Sequence, residues 1–204
     1  MSNDTRQFFG TDGIRGRANA YPLTADFVVR LGQAVAEVFL EEMEGGSEDA
    51  TVVIGKDTRE SGDMLESAIS AGLNSRGIDV RLAGVVPTPA VAMLVRKTEA
   101  AFGVVISASH NPFEDNGIKF FGPDGYKLTD EMELEIERRV LSEAEASIEG
   151  PIGRTGTLEN ASATYIDFVC ASAGDSPDLL SGLTIALDCA NGASYETSEA
   201  ILKS

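Results

Sequence analysis

Three short apolar runs, TVVIG at 51–55, IDVRLAG at 78–84 and AFGVVIS at 101–107, alternate with stretches whose apolar residues recur at helical spacing. That alternation leaves few folds open to the chain. Runs of this length read as strands buried on both faces, and β-strands joined through helices make right-handed parallel crossovers. Ahead of the first run, Thr24 is placed to cap a helix carrying Phe27, Leu31, Ala34, Val35 and Val38. Between the first and second, Met64, Leu65, Ala68, Ile69 and Gly72 form a second helical stripe, and Gly77 marks its stop. Pro87 and Pro89 introduce a third helix, running through Leu94. The order β-α-β-α-β predicts an α/β fold, a layered and mostly parallel sheet with flanking helices. Beyond it, IKFFGPDGYKL at 118–128 reads as a hairpin turned by Pro123, Asp124 and Gly125. A helix from Asp130 to about Ala146, with Met132, Ile136, Val140 and Ala144 on one stripe, closes the unit.

At 204 residues and 43% apolar content, the chain is long enough for one α/β domain and part of a second. The first domain is expected at 1–150 and the start of another at 158–204, with SIEGPIGRTG at 147–156 as the linker. The second part reads as a helix at about 161–172, a strand TIALD at 184–188, a turn CANGAS and a helix running to Ser204. One strand with two helices cannot cover both faces of a sheet or pair both its edges, so this second α/β domain is expected to be incomplete and the chain to be the leading part of a longer protein. The opening MSNDTRQFF lacks a basic region followed by an apolar core, and no apolar segment approaches spanning length, so a cytoplasmic location is the default and no membrane partner is expected. Cys170 and Cys189 each lie in an apolar stretch rather than in a CxxC pair, as buried small hydrophobes do, and one histidine rules out a multi-histidine metal site.

A formal charge of −17 argues against nucleic acid as a partner, because phosphate backbones are gripped by clustered Lys and Arg. The acid is concentrated at 37–49 and 130–149, where it reads as solvated surface. Six of the sixteen basic residues, Arg15, Arg17, Lys56, Arg59, Lys119 and Lys127, fall instead within a few compact motifs. An anionic ligand is the natural reading of that bias.

The motif richest in chemistry is VVISASHNPFEDNGIK at 104–119. It sets serines and the only histidine just past a strand, where ligands gather in open α/β sheets. Asn111 and Pro112 turn the chain, Asp115, Asn116 and Gly117 are expected to turn it again, and Lys119 follows among Ile118, Phe120 and Phe121. A hydroxyl, an imidazole and an ammonium thus come together within eleven residues of one another. Two hydroxyls compete, since Ser107 and Ser109 would face the same side of an extended strand end.

The stretch ISASHNPFEDNGIKFFGPDGYKL closely resembles the phosphoserine loop of the α-D-phosphohexomutases, and within that superfamily the bacterial phosphoglucosamine mutases. FFGTDGIRG at 8–16, GKDTRESG at 55–62 and PTPA at 87–90 match further family motifs in the right order, and DCANGA resembles the start of the family's second domain. Such enzymes have four domains, so the resemblance covers this whole chain while the chain covers about the first half of the family pattern. The resemblance selects Ser109 over Ser107 and implies that, phosphorylated, it donates its phosphoryl group to a sugar monophosphate. A bisphosphorylated sugar then turns round in the cleft and returns a phosphoryl group from its other end. The implied substrate is a phosphorylated hexosamine, glucosamine 6-phosphate or glucosamine 1-phosphate.

Lys119 resembles the family's general acid/base, and Arg15 the arginine whose planar fork holds phosphoryl oxygens. His110 and Asn111 match residues that position the loop or the transferred group, so Arg15, Asn111 and Lys119 form the implied phosphate-binding set. The implied cofactor is Mg²⁺, with Ser109 a ligand through its phosphate. The family's metal carboxylates lie in a DGDxDR loop that these 204 residues do not contain. Asp57 and Arg59 read as an ion pair supporting the serine loop, and Thr11, Asp12 and Gly13 as scaffolding under Arg15.

Other readings stay open at this level. A serine hydrolase would use Ser109 and His110, but neighbours on an extended chain point oppositely and there is no GxSxG elbow. Phosphomannomutase or phosphoglucomutase activity, and a non-catalytic phosphosugar-binding module, complete the alternatives.

Overall fold

The computed structural model describes residues 6–43, 50–142, 150–174 and 180–204. The strands TVVIGK (β3, Thr51–Lys56), β4 (Asp79–Val85) and β5 (Phe102–Ile106) form a parallel group in the order β5-β3-β4. Helix α1 (Ala25–Glu42) leads into β3, α2 (Gly62–Asn74) connects β3 to β4, and α3 (Thr88–Thr98) connects β4 to β5. The central strands divide their side chains by parity. Val52, Ile54, Phe102, Val104 and Ile106 pack with α1 and α2, whereas Val53 and Val105 pack with α3. The result is three layers, helix–sheet–helix, as the alternation required. Phe39 stacks on Phe102 with centroids 4.2 Å apart, fixing α1 across β5.

The other half of the sheet is antiparallel, which the strand pattern alone did not disclose. β1 (Phe9–Gly10), β2 (Gly13–Arg17) and β6 (Asp115–Phe121) extend the sheet in the order β1-β2-β6-β5. Connection length explains the change of sense. A parallel return needs a crossover of a dozen or so residues, but only residues 107–114 lie between β5 and β6, and Thr11 and Asp12 alone join β1 to β2. The expected turn at Asp115, Asn116 and Gly117 is therefore the first half of a strand, because each pairs with β2 in register with Arg17, Gly16 and Arg15. The expected hairpin at 118–128 reduces to β6 and one bridge, Phe121 to Lys127.

Thr24 sits at the N-cap position of α1 without capping it through its side chain, whereas the Thr129 hydroxyl accepts the Met132 N–H at the start of α4 (Asp130–Leu141). Met132, Ile136 and Val140 of the expected stripe pack onto the α1 side; Ala144 and Ala146 lie outside the described residues. β7 (Thr155–Thr157) adds to β4 in parallel, so part of the expected linker belongs to the sheet. Helices α5 (Ala161–Ser172) and α6 (Tyr195–Lys203) follow as expected. The expected strand at 184–188 does not form. Ile185 and Leu187 are 46% and 47% exposed, and among the described residues no neighbouring strand takes up their backbone groups, which is what an extended apolar run needs to become a strand. Among the described residues no helix is long and apolar enough to cross a membrane.

Candidate functional site

The eight residues from Ser107 to Glu114 leave the carboxyl end of β5 and return as β6. Two parallel strands end at this rim, and the Asp57 N–H donates to the Ile106 carbonyl at 3.0 Å, stitching the end of β3 to the end of β5. Arg59 then reaches into the loop. Its Nη2 donates to the carbonyls of Ser109 (3.0 Å) and Asn111 (2.9 Å), and its Nη1 to those of Pro112 (2.6 Å) and Asp115 (2.9 Å). Asp57 fixes the guanidinium from behind, accepting from Arg59 Nε at 3.0 Å and from the Arg59 backbone N–H at 3.1 Å. Both side chains of the pair are 10% exposed. The expected supporting ion pair is thus present, and its reach over four loop carbonyls exceeds what the motif conveyed.

Ser109 and Ser107 do not share a face. Ser109 adopts a left-handed conformation (φ 56°) and is exposed, while Ser107 is buried and its Oγ accepts the Ser109 N–H at 3.0 Å. The loop is not an extended strand end, so the alternation argument fails and leaves one serine open to a ligand. For the same reason Ser109 and His110 do not point oppositely: Oγ lies 3.4 Å from His110 Nδ1. That spacing is long for a hydroxyl bond to a ring nitrogen, and no carboxylate orients the ring among the described residues, so the arrangement lacks the third group of a hydrolase triad.

Arg15 enters from β2, where it pairs with Gly117 of β6. Its Nη2 donates to Asp12 Oδ2 at 2.9 Å and its Nη1 to Asn111 Oδ1 at 3.3 Å; Asn111 Nδ2 in turn donates to Asp115 Oδ2 at 3.0 Å. Asp12 therefore scaffolds Arg15, as read from the sequence. Gly13 makes the approach possible: at φ 83° its Cα is so close to β6 that a Cβ would lie 2.3 Å from the Ile118 carbonyl oxygen and 3.0 Å from Lys119 Cγ.

Lys119 stands opposite Val105, half-buried, and its ammonium makes no ion pair among the described residues. Burial, and next the like charge of Arg15, hold it below the ordinary lysine value, against the opposing pull of Asp12 and Asp57. Arg15, Asn111, Ser109 and Arg59 are thus linked by direct bonds, and Lys119 lies within their field. The wider group of motif cations does not converge. Lys56 is occupied by Asp63 and Glu66, both at 2.6 Å, Lys127 by Glu133 at 3.1 Å, and Arg17 is exposed at the far end of β2.

Two contributors escaped the sequence reading. Asn116, fully buried, donates to Ser61 Oγ at 2.9 Å and accepts from the Gly117 N–H at 2.8 Å, tying β6 to the start of α2. Its place in an Asp-Asn-Gly run reads locally as a turn. Thr58, beside Arg59, donates to the Asn191 carbonyl at 2.5 Å and joins the DCANGA turn to the same platform; no local signal marks that contact.

Comparison with known proteins identifies the family of the fold. Residues 6–147 match the family model described as phosphoglucomutase/phosphomannomutase, alpha/beta/alpha domain I. A phosphoglucosamine mutase of Novosphingobium aromaticivorans is 53% identical over 197 residues, 97% of this chain and 43% of the relative. One from Bdellovibrio bacteriovorus is 51% identical over 209 residues, 100% of this chain and 45% of the relative. The crystal structure of a phosphoglucomutase/phosphomannomutase family protein from Burkholderia thailandensis superposes with a TM-score of 0.74 at 25% identity, over 96% of this chain and 41% of that one. The chain spans less than half the length of the curated relatives it matches.

Proposed function

Because the chain belongs to the phosphoglucomutase/phosphomannomutase family, we propose that it supplies the phosphoryl-carrying domain of an enzyme interconverting glucosamine 6-phosphate and glucosamine 1-phosphate, with Ser109 as the carrier. The observation that carries the reading is the exposure of Ser109 alone, left-handed at the tip of a loop anchored through its carbonyls by Arg59. The names of the bacterial relatives support the amino sugar as substrate.

The chemistry balances as a shuttle. A sugar hydroxyl attacks the phosphorus of phosphorylated Ser109, the new P–O bond forms as the bond to Oγ breaks, the hydroxyl proton leaves to a base, and Oγ takes up a proton. The bisphosphorylated sugar, reversed, gives its other phosphoryl group back to Ser109. Lys119 is the group we assign to the proton at the sugar oxygen. Its lowered pKa increases the share of neutral amine able to accept that proton, and burial keeps water from competing for it. Arg15, oriented by Asp12 and Asn111, places a planar fork for the transferring oxygens. His110, whose Nδ1 lies 3.4 Å from Oγ, is assigned to positioning the loop or the transferred phosphoryl group.

Mg²⁺ would supply counter-charge to the phosphoryl oxygens. Among the described residues no group of three His, Cys, Asp or Glu side chains converges to hold a cation, so the part of this chain that would hold Mg²⁺ is the phosphoryl group carried by Ser109. The proposed first domain is 1–150, with the second beginning at 158; the proposed setting is cytoplasmic. A substrate panel tests the assignment: the full-length gene product turns over glucosamine phosphates, and Ser109→Ala abolishes this. Faster turnover of mannose or glucose phosphates would overturn the amino-sugar assignment, and an active Ser109→Ala would overturn the carrier.

A further inference from the structure

We infer that Arg59 is the positioning residue of the phosphoryl-carrying loop, acting by drawing carbonyls inward so that amides turn outward beside Ser109. The inference rests on the reading of Ser109 as the carrier, but its geometry is independent of the substrate. A peptide group is planar and trans, with N–H and C=O on opposite sides. Fixing the Ser109 and Pro112 carbonyls on the guanidinium therefore aims the next N–H groups, those of His110 and Phe113, away from Arg59. Neither N–H has an acceptor among the described residues. Two outward, unpaired amides in the loop that carries the exposed Ser109 hydroxyl are donors of the kind that receive anionic oxygens, which is what phosphorylation would place on that loop.

The same grip explains how a serine holds a left-handed backbone that L-residues avoid. Ser109 keeps φ 56° because its carbonyl is bound to Arg59 Nη2 and its N–H to Ser107 Oγ, so both of its peptide planes are fixed. Arginine is needed for this. Its rigid fork serves Ser109 and Asn111 with one nitrogen, Pro112 and Asp115 with another, and Asp57 with Nε. A lysine ammonium would offer three donors from a single point and could not span that set. Arg59 touches only main-chain carbonyls and Asp57 in this set, so it acts through Ser109 rather than on the ligand.

The test uses the full-length gene product and two variants. Arg59→Lys should lower kcat for the phosphohexose by about a hundredfold, as expected for a misplaced reacting group, with KM little changed. Hydrogen exchange should quicken at residues 108–115 while β3 and β5 stay protected. Arg59→Ala should recover part of its kcat on addition of free guanidinium, far below denaturing concentrations, because the lost group can be replaced from solution. Unchanged kcat and unchanged loop exchange in Arg59→Lys would overturn the inference. So would a loss of kcat that follows loss of protection in β3 and β5, since Arg59 would then be a stability element. Should Ser109→Ala stay active, the carrier assignment fails by itself, and loop exchange in Arg59→Lys still reports on the positioning.

Discussion

Glu137 of α4 is 4% exposed, and its carboxylate accepts the N–H groups of Gln7, Phe8 and Phe9, each at 2.7 Å. Those donors open the segment that becomes β1, β2 and the platform of Arg15. In Glu137→Gln one oxygen can still serve Phe8 and Phe9, but the amide nitrogen then faces the Gln7 N–H, donor against donor. Losing one charge-assisted bond costs about 2 kcal/mol and weakening the other two costs about 1 kcal/mol each. Removing a buried charge returns part of this, so the expected loss is about 2–3 kcal/mol. Against the roughly 5–15 kcal/mol of a typical domain, that is readily measured. Urea unfolding followed by far-UV circular dichroism should show a lower midpoint with a similar slope, and hydrogen exchange should quicken first in β1 and β2. A loss below about 0.5 kcal/mol, the range of an ordinary surface change, with unchanged exchange in β1 and β2 would refute the argument that this carboxylate anchors the amino-terminal strands.

Lys119 gives two further expectations, both from its pKa being held below 10.5 by burial first and Arg15 second. A lysine lowered on folding costs stability while it is protonated, and the cost fades as pH rises towards the ordinary value. Lys119→Met should therefore melt above the parent at neutral pH, by a margin that narrows as pH approaches 10.5 in a series of thermal scans; a constant margin would contradict the sign. The same variant should lose turnover although it is the more stable protein, which a coupled assay of the full-length gene product would show.

The central strands were legible because their signal is local. TVVIG, IDVRLAG and AFGVVIS are short, apolar and bounded by turn residues, and a doubly buried strand needs nothing more to be identified. The antiparallel half was hidden because its evidence is distant. β1 has two residues, and Asp115-Asn116-Gly117 carries turn propensity that is overridden once Asn116 is buried against Ser61 and β2 takes up the backbone. At 184–188 the opposite happened: strand composition without a partner gave no strand. The site divides in the same way. Ser109, Lys119, Arg15 and the Asp57–Arg59 pair could be named from motifs, but the four carbonyls held by Arg59 belong to residues 50 to 56 positions away and become one set only after β3 and β5 are adjacent. The cationic cluster was over-read because net charge conceals pairing, and Lys56 and Lys127 are already neutralised by local carboxylates.

The most direct test of the account is where a phosphoryl group resides. The full-length gene product, dephosphorylated and then exposed to glucosamine 1,6-bisphosphate with Mg²⁺, should gain a single phosphoryl group by intact-protein mass spectrometry, located on Ser109 by peptide fragmentation and absent from Ser109→Ala. A phosphoryl group found on Ser107, or equal labelling of the Ser109→Ala protein, would contradict it.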